Sequence, residues 1–265
     1  MARCWRFGEP VPRVDGRAVL DWRRKVTMPR TVEAEGLDRL APDDPDAVRS
    51  RRDLRRVHRA MGTRSILVRG WQSLLLSQRP GTLLNVLELG AGDGSLLLGV
   101  ARALAPAWPR VRLTLLDRQD IVGRDTLAAY AALGWTVSVE VADVQDWASP
   151  DAAAQTWDLV STTLFLHHFE GRPLEALLAG VASRSDRFFA CEPRRDWLAL
   201  AGSHLVGVLG ANAVTRVDAV LSVHAGFREQ ELTALWPGQA NAWHTREAAA
   251  GPFSHCFSAR RGELA

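Results

Sequence analysis

Val86-Leu87-Glu88-Leu89-Gly90-Ala91-Gly92-Asp93-Gly94-Ser95-Leu96 is an apolar run that breaks into three closely spaced glycines and then turns apolar again. Its opening reads as a buried parallel strand, and Ser95 to Ala105 reads as an apolar helix. A strand that ends in glycines lets the backbone approach a ligand closely, because no Cβ stands in the way. The helix that follows turns its free N–H groups and positive dipole end toward the same place. Such a unit binds nucleotide-like cofactors, and the spacing narrows the choice. A dinucleotide fingerprint requires G-x-G-x-x-G. Counted from Gly90, the place of the third glycine holds Ser95, and Gly94 comes one residue early. No G-K-[ST] follows, which excludes a P-loop. Glu88 is unfavourable beside a pyrophosphate and suits a cofactor that carries an ammonium or a sulfonium.

Further strands follow in order. Val111 to Leu116 reads as a second strand ending at Asp117, an acid that at this place can accept both hydroxyls of a ribose or simply cap a helix. Trp135 to Val141 reads as a third, ahead of Ala142-Asp143-Val144, where Asp143 also has a plain reading as a turn residue. Trp157 to Ser161 leads into Thr162-Thr163-Leu164-Phe165-Leu166-His167-His168-Phe169, and Arg187 to Cys191 ends at Glu192-Pro193. These pieces form one βαβ series from about residue 83 to 193.

Four segments carry a family resemblance: Leu87 to Leu96 (L-E-L-G-A-G-D-G-S-L), Leu115 to Asp120 (L-L-D-R-Q-D), Leu164 to Phe169 (L-F-L-H-H-F) and Phe188 to Arg195 (F-F-A-C-E-P-R-R). The first resembles motif I, h-h-[DE]-h-G-x-G-x-G, of the class I methyltransferases that use S-adenosylmethionine. The set is similar to bacterial small-molecule methyltransferases found beside type III polyketide synthases, which act on phenolic lipids. The resemblance spans roughly residues 45 to 260. It implies an α/β, Rossmann-like fold with a seven-stranded, mostly parallel sheet, one antiparallel strand, and an N-terminal helical cap. It also implies S-adenosyl-L-methionine as cofactor, held by Glu88, Gly90, Ala91, Gly92, Gly94, Asp117, Arg118, Asp143, Val144 and Thr163. Arg64, beside Gly62 in the N-terminal region, either clamps the cofactor's carboxylate or is a solvated turn arginine.

Methyl transfer to a phenol needs alignment and a proton acceptor. No carboxylate cluster can be placed near the methyl end, so a base mechanism without metal is expected. His167 and His168 follow the fourth strand, at the sheet edge where ligands bind in open α/β folds. His168 is preferred to His167 as general base, with Glu192, His224 and His255 in reserve, while either histidine has a structural reading. The expected activity is O-methylation of a phenolic or polyketide-derived small molecule in bacterial secondary metabolism. Two alternatives stand beside it: an RNA methyltransferase, and a non-catalytic protein that binds the same cofactor.

The rest of the chain sets limits. Its 265 residues hold one large domain or an α/β domain with an appendage, read as an arm and helical cap over 1–80 and a cofactor-binding domain over 81–265. Cys4, Cys191 and Cys256 are too few and scattered for a disulfide framework. Met1 to Leu20 lacks the apolar core of a secretory signal, and cytoplasm is the expected compartment. The net charge of +3 is mild, but Arg49, Arg51, Arg52, Arg55, Arg56 and Arg59 gather on one expected helix. Nucleic acid binding is disfavoured because no aromatic residues interleave them, and a solvated helix face accounts for them. Leu198 to Val214 is uncharged but glycine-broken, a poor span that leaves peripheral membrane contact open.

Met1 to Ala41 reads as irregular, followed by helices over Ala47 to Met61 and Ser65 to Ser77 and a break at Arg79-Pro80-Gly81. After the fifth strand come a helix from Trp197 to Leu209, a strand or loop near Ala219 to His224, and a short helix from Glu229 to Trp236. Strands over Ala240 to Arg246 and Phe253 to Arg260 end the chain.

Overall fold

A computed structural model describes residues 28–76, 78, 81–108, 110–149, 155–237 and 243–262. Cys4, most of the irregular arm, the Arg79-Pro80 break, Ser77 and residues 240–242 lie outside them. Among the described residues the strands are β1 (Leu84–Leu89), β2 (Val111–Asp117), β3 (Thr136–Val141), β4 (Leu159–Thr163), β5 (Arg187–Pro193), β6 (Trp243–Ala250) and β7 (Ser254–Arg261). They form one sheet in the order β3-β2-β1-β4-β5-β7-β6. β1 to β5 pair in parallel, and β7 runs antiparallel to both β5 and β6. This is the expected seven-stranded sheet with one reversed strand. The strand order turns back between β1 and β4, and the carboxyl edge at such a switch point is where open α/β sheets hold their ligands.

Nine α-helices surround the described sheet: α1 (Pro45–Met61), α2 (Thr63–Leu75), α3 (Ser95–Leu104), α4 (Arg124–Ala131), α5 (Val144–Ala148), α6 (Gly171–Arg184), α7 (Trp197–His204), α8 (Ala213–Ala225) and α9 (Glu231–Leu235). The pleat of β1 divides its residues between two cores. Leu84 and Val86 face a core shared with Ile66, Leu67, Trp71, Leu97 and Leu104. Leu87 and Leu89 face another, built with Leu174, Leu178, Phe188, Trp236 and Phe257. Helix α2 lies flat on the first face. A Cβ at Gly70 would meet the Phe189 ring at 2.3 Å, and the Trp71 indole donates to Ser161 Oγ at 3.2 Å.

Caps explain where several helices begin. Asp44, Asp143, Asp196 and Asn212 each accept a backbone N–H from the first turn of α1, α5, α7 and α8, respectively. Two expectations after β5 need correction. The segment near Ala219 to His224 is the end of helix α8, not a strand or loop. Val220 and Val223 imitate a strand, but Asn212 caps the helix that contains them, and Thr215, Asp218, Ser222 and Ala225 share one inward helical face. The helix expected over Trp197 to Leu209 ends at His204, and a 3₁₀ turn over Val206–Leu209 follows it to Gly210 at φ 81°.

Trp71→Ala should lower the unfolding free energy by about 3–5 kcal/mol, because it empties a fully buried site and leaves Ser161 without its donor. Urea denaturation measures the loss.

Candidate active site

Gly90, Gly92 and Gly94 have φ values of 70°, 56° and 70°, the left-handed region that an L side chain adopts at a cost. A Cβ at Gly90 would also strike the Phe165 ring at 2.3 Å. The loop is held from several directions. Gly90 and Ala91 donate their N–H groups to Leu116 O at 2.9 and 3.0 Å, and the Tyr130 hydroxyl donates to Gly94 O at 2.8 Å. Asp117 at the end of β2 accepts from Gly92 N at 2.8 Å and from Gln119 N at 2.9 Å. From α1, Arg55 pairs with Asp93 at 2.9 Å.

Glu88 points from β1 to the α2 side and is buried. Its Oε1 accepts from the Thr163 hydroxyl at 3.0 Å, while its Oε2 has no hydrogen-bond partner among the described residues. Burial pushes this carboxyl up to about 7, against the pull of the Ser161 and Thr163 hydroxyls. A cation at Oε2 would relieve that cost. Glu88 and Thr163 thus meet across the β1–β4 pairing, while Asp117 holds the glycine loop from the end of β2.

The other expected cofactor residues fall less simply. Asp143 ends β3 as the cap of α5, accepting from Gln145 N at 2.8 Å, and Val144 beside it is buried. Arg118 sits at the end of β2, but its guanidinium is held by Asp38 through an ion pair of 2.9 Å. Arg64 is exposed, and its stem lies against Gly99, a full turn into α3. The family resemblance implies that Arg118 reaches a cofactor, and the sequence leaves Arg64 either a clamp or a solvated turn residue. The structure occupies the first with Asp38 and lays the second along a helix.

Beside β1, β4 is followed by Leu164 at φ 51°, a strained value for a leucine. The 3₁₀ turn Leu166–His168 follows. Glu192 at the end of β5 organises this turn. Fully buried, it accepts N–H groups from Phe165 at 3.1 Å, Leu166 at 3.0 Å and His167 at 3.3 Å. It also bonds His167 Nδ1 at 2.9 Å. Every available direction around the carboxylate is used, so Glu192 positions the turn and does not serve as the reserve base.

Glu35 completes the arrangement, and nothing in the sequence pattern singled it out. It reaches His167 Nε2 at 3.3 Å and accepts from the Ser222 hydroxyl. Burial pulls His167 down, yet its bonds to Glu192 and Glu35 outweigh that and push it up to about 9. His168 shifts the other way. Burial and the neighbouring His167 charge lower it, with Glu35, Asp38 and Glu192 opposing. The two rings lie 4.3 Å apart between centroids. At neutral pH one carries a proton and the other is free to accept one. Glu35, His167 and His168 place their ligand atoms within 4.8 Å of one another, close enough for a metal ion, although the carboxylates already engage both nitrogens of His167.

Residues 28–38 run as a strap over this edge. Arg195 donates to Met28 O, Arg30 donates to Ala225 O and Phe169 O, and Gly36 and Leu37 donate to Asp218. Asp38 ends the strap beside Arg118 and 3.4 Å from His168 Nδ1. Of the remaining reserves, His255 is buried and bonded to Glu247 at 2.8 Å, and His224 lies in α8. Cys191 and Cys256 face each other across β5 and β7 as free thiols.

Glu192→Ala should cost about 3–5 kcal/mol, the range for stripping one partner from a buried charged pair, and thermal unfolding measures it. Glu88 gives a pH signature. Its folded value near 7 lies above its ordinary 4.5, so the folded chain retains a proton that the unfolded chain releases, and stability falls as pH rises through that window. Glu88→Gln should therefore be more stable than the parent above the window and nearly equal below it, as read by denaturant titrations at both ends.

No family model matches the chain, and no curated protein matches it by sequence. Solved structures do. The plantazolicin methyltransferase BpumL in complex with SAH is 15% identical with a TM-score of 0.61, over 83% of this chain and 92% of that one. The same enzyme with a monoazolic desmethylPZN analog and SAH gives 16% and 0.59, over 83% and 91%. Magnesium protoporphyrin IX methyltransferase (ChlM) from Synechocystis PCC 6803 covers 93% of this chain and 95% of its own at 17% identity, with a TM-score of 0.48. The chain has the Rossmann-like fold of the class I methyltransferases.

Proposed function

We propose that this protein is an S-adenosylmethionine-dependent methyltransferase acting on a small molecule, by O-methylation of a phenolic or polyketide-derived acceptor. The observation that carries this reading is the set of groups at the carboxyl ends of β1 and β2: three left-handed glycines, an acid that holds their loop, and a buried carboxylate with one orphaned oxygen. That set fits a cofactor with a ribose and a cationic methionyl portion, and it does not fit a pyrophosphate. The similar BpumL structure, which contains SAH, supports the choice.

When bound, S-adenosylmethionine supplies a methyl group already activated by its sulfonium. The protein's residues then have three tasks. Gly90, Ala91, Gly92 and Gly94 would allow close approach, Asp117 would hold the ribose, and Glu88 would balance positive charge. Asp143 and Val144 would border the adenine, and Thr163 fixes Glu88. The strap and Phe165 exclude water from the reacting end. His168 accepts the acceptor's proton, because its environment keeps the ring neutral while His167 stays charged between Glu192 and Glu35. Arg118 and Arg64 reach the cofactor only by leaving Asp38 and Gly99, respectively.

The RNA reading has less support. Arg55 and Arg56 are already paired with Asp93 and Asp53. A transfer assay with labelled cofactor and a panel of resorcinols, quinols, lipids and bulk RNA separates the acceptors, and no transfer to any of them would leave a binding protein.

His168→Ala should lower kcat by about 10²–10³-fold with cofactor affinity near wild type. It should also remove a pH limb lying below the ordinary histidine value of 6.5. Unchanged rates and pH profile would make the residue structural. Asp117→Asn should weaken SAH binding by about tenfold or more in calorimetry, as expected for a charge-assisted contact, and NAD should bind neither protein.

A further inference from the structure

Away from the candidate site, α7, the 3₁₀ turn Val206–Leu209 and α8 pack together and meet α1. This corner holds most of the large apolar side chains left in solvent: Trp197, Leu198, Leu205, Val208, Leu209 and Val217. Val208 is 83% exposed, Leu205 62% and Trp197 59%. Between Trp197 and Val217 the sequence contains no aspartate or glutamate, while it does contain His204 and Arg216. Grouped exposed apolar side chains of this kind mark a contact surface.

Its neighbours are cationic. Arg49, Arg52, Arg56 and Arg59 are exposed and spaced i, i+3, i+7, i+10, which puts them in one stripe along α1. Arg56 at the edge of that stripe lies 3.9 Å from the Cβ position of Gly210, directly after the turn. On the other side, the Arg216 stem lies 3.1 Å from the Cβ position of Gly207 within the turn. Leu205, Val208 and Leu209 thus project from a tip framed by guanidinium groups. The buried Asp53 balances Arg56 alone.

We infer that this corner docks on an anionic lipid bilayer, with the 3₁₀ tip inserted at the interface and the α1 arginines against the headgroups. Apolar insertion and basic attraction together are what hold a peripheral protein to such a surface. An arginine stripe alone would suit RNA equally well. The apolar tip between Arg56 and Arg216, without an acid along its length, favours lipid. No helix among the described residues is long and apolar enough to cross a membrane, so the contact is with one face. The inference stands apart from the methyl-transfer reading, because vesicle binding is scored with no cofactor present.

The test is co-sedimentation of the full chain with phosphatidylcholine vesicles, with and without phosphatidylglycerol. Binding should require the anionic lipid and weaken with salt. Leu205→Glu with Val208→Glu, and separately Arg52→Glu with Arg59→Glu, should each reduce it about tenfold or more, with melting temperature unchanged. Should the apolar double variant melt low, Val208→Glu alone repeats the test at the most exposed of these side chains. Absence of vesicle binding overturns the proposal, as does binding that both double variants retain. A concentration-dependent dimer lost in Leu205→Glu/Val208→Glu, without vesicle binding, would assign the corner to a second copy. Capture of RNA that depends on the arginines but not the apolar tip would assign it to nucleic acid.

Discussion

One buried carboxylate sets the geometry of the candidate site's edge. Glu192 ends β5 without solvent and must satisfy its charge inside the protein. It does so by gathering the N–H groups of Phe165, Leu166 and His167 and then the His167 ring. Those bonds hold the segment after β4 in a tight 3₁₀ turn, directly after Leu164 in its left-handed conformation. It also leaves His167 with one nitrogen facing outward, which Glu35 meets. The strap, the opposite pKa shifts of the two histidines and the cover over this edge all descend from this arrangement.

The glycine loop obeys a complementary constraint. Its backbone must stay bare for a ligand, so its shape is imposed by neighbours. Asp117, Leu116, Tyr130 and Arg55 hold it from β2, α4 and α1. Phe165 sits directly over Gly90 and joins the loop to the turn after β4. A change in either is therefore felt by the other. Glu88 stores a cost, since one oxygen has no partner among the described residues and burial disfavours its charge. Such unpaid polar groups belong to sites that bind something.

Much of the fold was legible because its signals are local. The sheet core, the glycine loop and the histidine pair after β4 depend on neighbours in sequence, and a strand was expected where β7 lies, while its reversal came only from the family resemblance. The segment Ala219 to His224 reads as a strand because Val220 and Val223 are β-branched, whereas Asn212 and the contacts of Asp218 and Ser222 with the strap favour a helix. Glu35 and Asp38 were not legible at all. Acids in an irregular segment have no pattern, and their partners lie at positions 167, 168 and 118.

By itself, then, the sequence determined that a parallel α/β sheet opens on a glycine loop suited to a cofactor without a pyrophosphate, with two histidines after the fourth strand. Periodicity and glycine spacing are properties of short stretches, so they survive without knowledge of the whole. Only the tertiary structure decided what those histidines are. Glu192 and Glu35 arrive from distant segments to hold one charged, and burial beside that charge keeps the other neutral. Electrostatic environment is a sum over everything within a few ångströms, and in a folded chain most of that neighbourhood is far away in sequence.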